Sequence, residues 1–164
     1  MKKFHILILV AAIVTFVTNC KKADDSVTTD AQLASQLVSG ATDTLRSGGV
    51  KYILEANLIR YFSQGSASNL SPLSGTVSLV RLDSATFGTV FNISKIYVIR
   101  DNQIWTVTPS DASSDVVYKL KKNCSAGPEW GPNILVNVVA EVTGSSQGSP
   151  NTIIARDQNI YALY

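Results

Sequence analysis

The stretch NILVNVVAEVT, residues 133–143, decides the fold class, because every second side chain from Ile134 to Val142 is apolar and its polar residues, Asn137 and Glu141, fall between them. One face would carry Ile134, Val136, Val138, Ala140 and Val142, and the other Leu135, Asn137, Val139 and Glu141. Successive side chains of a strand point to opposite faces of a sheet, whereas a helix repeats about every 3.6 residues. The pattern therefore predicts a β-strand with one fully apolar face.

Further runs rich in β-branched residues flank this stretch, separated by Gly, Pro, Asn, Asp and Ser. They lie at residues 75–82, 89–100, 104–109, 115–122, 151–155 and 160–164. Short strands separated by turn residues are typical of all-β proteins. We predict an all-β domain over residues 50–164, an antiparallel β-sandwich that is immunoglobulin-like in plan.

One segment, VKYILEANLIRYF at residues 50–62, fits two periods. A helix would align Val50, Ile53, Leu54, Leu58, Tyr61 and Phe62, whereas a strand would align Tyr52, Leu54, Ala56, Leu58 and Phe62, with Arg60 as the exception. The periodicity leaves both structures open. We predict a strand, because the later strands need a first edge and the following SQGSASNLSP is typical of a loop.

Two short motifs repeat. RDNQIW, residues 100–105, and RDQNIY, residues 156–161, match in residue type at every position, and each lies between two β-rich runs. Asp and Asn tolerate the backbone angles of tight turns, so the motifs predict two hairpins of one design. The alternative is a duplicated ligand site built from Arg100, Asp101, Arg156 and Asp157.

Residues 20–49 differ from the rest in carrying no aromatic residue and many Ser, Thr, Asp and Ala. Asp30 is placed to cap a short helix that ends before Gly48. Its apolar stripe would consist only of Leu33, Leu37, Ala41 and Leu45. Because that stripe is thin, we predict a flexible or partly helical tether over residues 20–49.

The chain begins with Lys2 and Lys3, followed by an apolar run from Ile6 to Val17. A positively charged start and an apolar core of this length are typical of a secretory signal peptide. A helix that spans a bilayer needs about 20 apolar residues, which makes a retained span the weaker interpretation. We predict a signal peptide over residues 1–19.

The apolar run ends in VTNC, residues 17–20. This stretch resembles the lipobox of bacterial lipoproteins, in a relaxed form similar to those of spirochaetes, and the following CKKADD is similar to the starts of many Bacteroidetes lipoproteins. The resemblance implies that Cys20 becomes the first mature residue and carries palmitate-type lipid, with the membrane as partner. The bacterial cell envelope, and within it the outer membrane, is the expected location. The alternative is an ordinary secretory signal that contains a cysteine.

Loss of the predicted signal peptide would remove Lys2, Lys3 and His5, leaving twelve basic and twelve acidic residues and no histidine. Without a basic patch the mature chain offers no electrostatic footprint for nucleic acid. Without histidine it cannot form a Ser-His-Asp or Cys-His relay. We therefore predict a protein that is not an enzyme, with no catalytic residue, no metal site and no cofactor.

The loop CSAGPEWGPN, residues 124–133, holds Glu129 and Trp130 between two prolines and two glycines. A tryptophan in such a loop can stack on a sugar ring or dock a protein, so Glu129 and Trp130 form the predicted binding loop for a carbohydrate or protein partner. The alternative is that Trp130 folds back as a lid on the core. Cys124, with no histidine nearby to lower its pKa, is predicted to be a buried, unreactive side chain.

These features favour a membrane-anchored lipoprotein that acts as a non-catalytic binding or structural module. One alternative is an envelope enzyme that works through carboxylates such as Glu55, Glu129 or Glu141, which would need two of them in one pocket. Another is a carrier of a small ligand inside a hollow β-barrel, which would need an apolar cavity within the sheet.

Overall fold

The computed structural model describes residues 27–62, 71–88, 91–144 and 151–164. The predicted signal peptide, the VTNC box with Cys20, and residues 20–26 of the predicted tether lie outside these ranges. Within them the chain forms ten strands and one helix: β1 (Val27–Thr29), α1 (Ala31–Gly40), β2 (Leu45–Ser47), β3 (Val50–Tyr61), β4 (Ser74–Arg81), β5 (Asn92–Arg100), β6 (Gln103–Val107), β7 (Ser110–Asp111), β8 (Lys119–Cys124), β9 (Leu135–Thr143) and β10 (Asn151–Leu163).

The strands form one continuous sheet in the order β1-β6-β5-β9-β10-β3-β4-β8-β7, with β2 paired to β3. The all-β prediction is confirmed, and so is the strand predicted over residues 50–62. The prediction of a purely antiparallel arrangement is wrong, because β10 runs parallel to β3 over Ile160–Leu163. The described chain is therefore a curled mixed sheet.

Strand β10 joins the two halves of the sheet. Its first part, from Asn151 to Asn159, is antiparallel to β9, and the pairing shifts register between Ala155 and Gln158. Asp157 lies at this point with a φ of 51°. A bulge bends a strand and increases its twist, so the strand leaves β9 and continues along β3. We call the strands on either side the β9 half (β1, β6, β5, β9) and the β3 half (β3, β2, β4, β8, β7).

The two repeated motifs therefore form different structures. RDNQIW is the turn of the β5–β6 hairpin, in which Arg100 pairs with Gln103 and Asp101 has a φ of 53°. RDQNIY is the bulge within β10 and reverses nothing, so the second predicted hairpin is wrong. In both motifs the aspartate takes the left-handed conformation that short polar side chains tolerate.

The main core takes side chains from both halves of the sheet. The β3 half contributes Tyr52, Leu54, Leu58, Val77 and Leu79, and the β9 half contributes Ile96, Val98, Trp105, Val136, Val138, Ala140 and Val142. The apolar face predicted for residues 133–143 is thus the face that points inward, with Ile134 packed at its edge. Burial of this apolar surface is the main stabilising contribution to such a fold.

The described part of the predicted tether belongs to the fold. Strand β1 pairs with β6, and β2 pairs with β3 and buries Leu45 in the main core. Asp30 caps α1 as predicted, accepting a hydrogen bond of 2.9 Å from the Leu33 amide. The helix ends at Gly40, and it packs on the back of the β9 half through a second cluster: Ala34, Leu37, Val38, Ala41, Tyr97, Ile99, Ile104, Val139 and Ile154. From Val27 onward the predicted tether is thus part of the fold, and the partial helix predicted for it corresponds to α1. Of the predicted stripe, Ala41 and Leu45 are buried, Leu37 is partly buried and Leu33 is exposed.

A glycine on β4 provides a test of the pairing between β3 and β4. A Cβ atom on Gly75 would lie 2.2 Å from the backbone oxygen of Asn57. Gly75→Ala must therefore shift the strand, and we expect it to lower the free energy of unfolding by at least about 2 kcal/mol in urea titrations. Gly40→Ala is the control, because nothing lies within 4 Å of its Cβ position. We expect this change to leave stability unchanged or raise it by up to about 1 kcal/mol. Equal effects would contradict the assigned register.

Candidate functional site

The outer face of the β3 half, which points away from the main core, carries aligned polar side chains. Glu55 of β3 lies opposite Ser78 of β4, and Asn57 lies opposite Thr76. Ser78 in turn lies opposite Lys121 of β8. Residues directly opposite one another share a face of the sheet, so three adjacent strands present one polar surface.

This surface forms a groove of about 540 Å³, here called the polar groove. The segment from Ser114 to Val116 lines one side of it. The polar lining side chains are Glu55, Asn57, Thr76, Ser78, Ser114, Asp115, Lys119, Lys121 and Gln158. A groove of this volume lies within the range of small-molecule sites, which is about 300 to 1,000 Å³.

The charges of the polar groove balance. Lys119 Nζ lies 2.5 Å from Glu55 Oε2, so these two side chains neutralise each other. In the described ranges neither Lys121 nor Asp115 forms an ion pair. The groove therefore offers one ammonium, one carboxylate, hydroxyls and amides for hydrogen bonds with a ligand, without a net formal charge.

Beside the polar groove lies a strip of exposed apolar side chains, here called the tyrosine strip. Tyr161 of β10 lies opposite Ile59 of β3, and Leu163 lies opposite Tyr61. Because Asn57, Ile59 and Tyr61 alternate along β3, the strip continues the face that carries the groove. As whole residues, Tyr61 and Tyr161 are 54% and 52% exposed. A contiguous apolar patch on a protein surface commonly marks an interaction site.

The predicted binding loop does not present its tryptophan. Trp130 is only 7% exposed and packs in the main core, so its ring offers no face to a sugar or a partner. This corrects the prediction for Trp130 in favour of its alternative, a lid on the core. Glu129 is exposed at the loop surface.

The buried side chain of Arg60 binds the backbone of this loop. It is 2% exposed, and its Nη1 donates to the backbone oxygens of Glu129 at 3.0 Å and Gly131 at 2.8 Å. Its Nε donates to the Ser71 oxygen at 3.0 Å, and its guanidinium lies 5.1 Å from the centre of the Phe62 ring. Backbone carbonyls of two segments thus accept hydrogen bonds from Nε and Nη1, which offsets part of the cost of burying the charge, while the buried Nη2 has no hydrogen-bond partner among the described residues. Arg60 is therefore a structural residue.

The three carboxylates proposed for an enzyme lie in different places. Glu55 is in the polar groove and is paired with Lys119, whereas Glu129 is on the 124–133 loop. Glu141, on β9, accepts a hydrogen bond of 2.5 Å from the Tyr97 hydroxyl. Burial of Tyr97, together with this bond to a carboxylate, raises the pKa of its hydroxyl. The structure does not bring any two of these three glutamates into one pocket.

Cys124 lies in the main core, and burial raises the pKa of its thiol to about 12. The predicted burial of Cys124 is confirmed, and a raised pKa disfavours the thiolate form. In the described residues, no group of three or more His, Cys, Asp or Glu side chains could hold a metal ion.

Comparison of the chain with protein-family models, with curated proteins and with solved structures finds no match in any of the three. Over the ranges that the structure describes, no helix combines the length and the apolar character needed to cross a bilayer.

Proposed function

We propose that this protein is a lipid-anchored, non-catalytic binding module of the bacterial envelope, and that it binds carbohydrate on the outer face of the β3 half. One observation carries the proposal: the polar groove and the tyrosine strip are continuous on a single face of the sheet. The signal peptide and the VTNC box of the sequence support the lipid anchor at Cys20 and the placement at the outer membrane.

Carbohydrate fits this face chemically. A sugar ring presents hydroxyls at its edge, which need donors and acceptors, and an apolar face of C–H groups, which packs on aromatic rings. The groove supplies the polar partners through side chains such as Asn57, Thr76 and Lys121. Tyr61 and Tyr161 supply exposed rings beside them. Because the charges of the groove balance, a neutral glycan is a better match than a polyanion.

The filled main core favours a binding site on the surface, and it disfavours the alternative of a carrier with a hollow interior. Leu58, Ile96, Val98 and Val138 meet in the space between the two halves of the sheet and are fully buried. Such a filled interior stabilises the fold, and it directs a ligand to the outside. An enzyme of the carboxylate class would instead need an acid and a base in one groove, where Glu55 is already bound to Lys119.

The proposal also includes the arrangement of the two halves of the sheet as a sandwich. We infer that the β3 half and the β9 half are the two layers of a sandwich that share β10 as a common strand. The support is that residues of both halves make up the main core. An immunoglobulin-like plan has two separate antiparallel sheets, so we limit the inference to a sandwich with a shared strand.

The lipid anchor is tested by metabolic labelling of growing cells with palmitate. We expect the wild-type protein to incorporate label and to remain in the membrane fraction, because two or more acyl chains give stable anchoring. Cys20→Ala should lose both the label and the membrane association. A Cys20→Ala protein that is still labelled, or a wild type that is not, would contradict the anchor.

The carbohydrate surface is tested by sedimentation of the purified protein with insoluble envelope polysaccharide. We expect Tyr61→Ala combined with Tyr161→Ala to weaken binding by about tenfold or more, since each stacked ring contributes about 0.5 to 1.5 kcal/mol beyond its buried area. Leu82→Ala is the control for loss of an exposed apolar side chain, because Leu82 is 50% exposed and directly follows β4 at Arg81, whereas the tyrosine strip lies near the Ser74 end, which pairs with Ile59.

Two outcomes of the sedimentation test would contradict the proposal. If the double tyrosine variant binds the polysaccharide as tightly as the wild type, or if the Leu82 control loses as much, the tyrosine strip is not the ligand surface. Thermal unfolding of each variant is measured in parallel, so that a loss of binding is assigned to the site only when the fold is retained.

A further inference from the structure

A second depression, of about 410 Å³, adjoins the polar groove and shares Ser114, Val116 and Lys119 with it. We call it the aromatic pocket. Its walls are formed by Phe87 and Phe91 on one side and by Leu120 and Lys122 of β8 on the other, with Asp111 of β7 at its rim. Asp115, between Ser114 and Val116, lines only the polar groove.

Lys122 is an unusual residue for its position. It lies opposite Val77, a fully buried core residue, so its side chain leaves β8 on the inner face of the sheet. The side chain is only 8% exposed. Charged side chains are rarely buried to this degree unless a partner compensates the lost hydration. The position would accept an apolar residue by packing alone, so the ammonium itself requires an explanation.

The partner of Lys122 is Asp111, which lies directly opposite it on β7 and is exposed to solvent. The ammonium is bound by the carboxylate of Asp111, whose side chain is 91% exposed. Asp111 belongs to β7, a strand of two residues at the end of the sheet. A carboxylate so exposed regains most of its hydration when it turns into solvent, so its exchange for another carboxylate has a small cost. The lysine ammonium has three N–H donors. Among the described residues, Asp111 is the only one that accepts a hydrogen bond from Lys122.

The aromatic wall of the pocket packs against the main core through Tyr52. The ring of Tyr52 meets the rings of Phe87 and Phe91 edge to face, at centroid distances of 5.7 and 5.0 Å. The backbone amide of Phe87 donates to the Val117 oxygen at 2.7 Å, which ties this wall to the segment on the other side of the pocket. An aromatic wall that faces one buried ammonium can hold a molecule with an apolar body and a single negative end.

From this arrangement we infer that the aromatic pocket binds a small carboxylic acid with an apolar body. Its carboxylate takes the place of Asp111 on the Lys122 ammonium, and its body packs against Phe87, Phe91 and Leu120. Lys119 also lines the pocket, but its charge is already neutralised by Glu55. Lys122 is therefore the cation that recognises the ligand, and Asp111 is the carboxylate with which the ligand competes.

The test uses 3-phenylpropionate as the probe and its neutral amide as the matched compound, titrated into the full chain by calorimetry and by amide NMR shifts. We expect the acid to bind at least about tenfold more tightly than the amide, as is typical when a charged hydrogen bond is lost. Lys122→Met should remove this preference. Asp111→Asn should strengthen binding of the acid severalfold, because it removes the competing carboxylate while leaving an exposed side chain of the same shape.

Lys51→Met is the control, since Lys51 is an exposed lysine of β3 that lines neither depression, and it should leave binding unchanged. The inference is overturned if the acid fails to bind, if acid and amide bind equally, or if Asp111→Asn leaves binding of the acid unchanged or weakens it. NMR shifts centred on the polar groove would also overturn it. Because Asp111 is exposed, its variant keeps the test decisive even if Lys122→Met lowers stability.

Discussion

One continuous backbone, that of β10, must hydrogen-bond to two different strands, and the remainder of the described fold depends on how it does so. The bulge between Ala155 and Gln158 takes the strand from β9 to β3 within a few residues. A straight strand would extend the β9 half into an open sheet and leave its apolar face without cover. The bend instead directs the inner faces of both halves into one core. The curvature of the sheet and the packing of the core therefore both depend on β10.

The same bend creates the surface that we propose as the binding site. Beyond it, Ile160 faces the core, so the next residue, Tyr161, must face outward beside Ile59. Leu163 follows on the same face, opposite Tyr61. Residues from the end of the chain and from its first long strand thus become neighbours only through the parallel pair. The polar groove continues from them along β3 towards Glu55, so its position relative to the tyrosines is also set by β10.

The sequence predicts the local structure well and the long-range pairing poorly. Alternation in residues 133–143 correctly identifies the inner face of β9, because burial on one face acts residue by residue. The motifs RDNQIW and RDQNIY correctly indicate aspartates with unusual backbone angles. They do not indicate whether the chain reverses or only bends, since that depends on which strands pair on either side. Ala34 is buried in the helix-to-sheet contact but lies outside the predicted stripe, because such contacts favour small side chains, which add little to an apolar pattern.

For the candidate site, too, the sequence indicates local features but not which distant residues lie together. Arg60 interrupts the alternation of β3, and this irregularity is a readable signal of a buried cation with a structural role. Trp130 is the most conspicuous loop residue in the sequence, yet the core has room for its ring and hydrophobic burial retains it there. Tyr61 and Tyr161 give no signal on their own, because their proximity needs the register of a parallel pair between distant segments.

The most direct test of this account is a set of interstrand NOE measurements on the isotope-labelled protein in solution. The account predicts contacts between Tyr161 and Ile59 and between Leu163 and Tyr61, in parallel register. In the same molecule, Ile153 should contact Ala140 in antiparallel register. Contacts that instead continue the antiparallel pairing with β9 to the end of the chain, or that place Ile160–Leu163 away from β3, would contradict the shared strand and with it the proposed binding face.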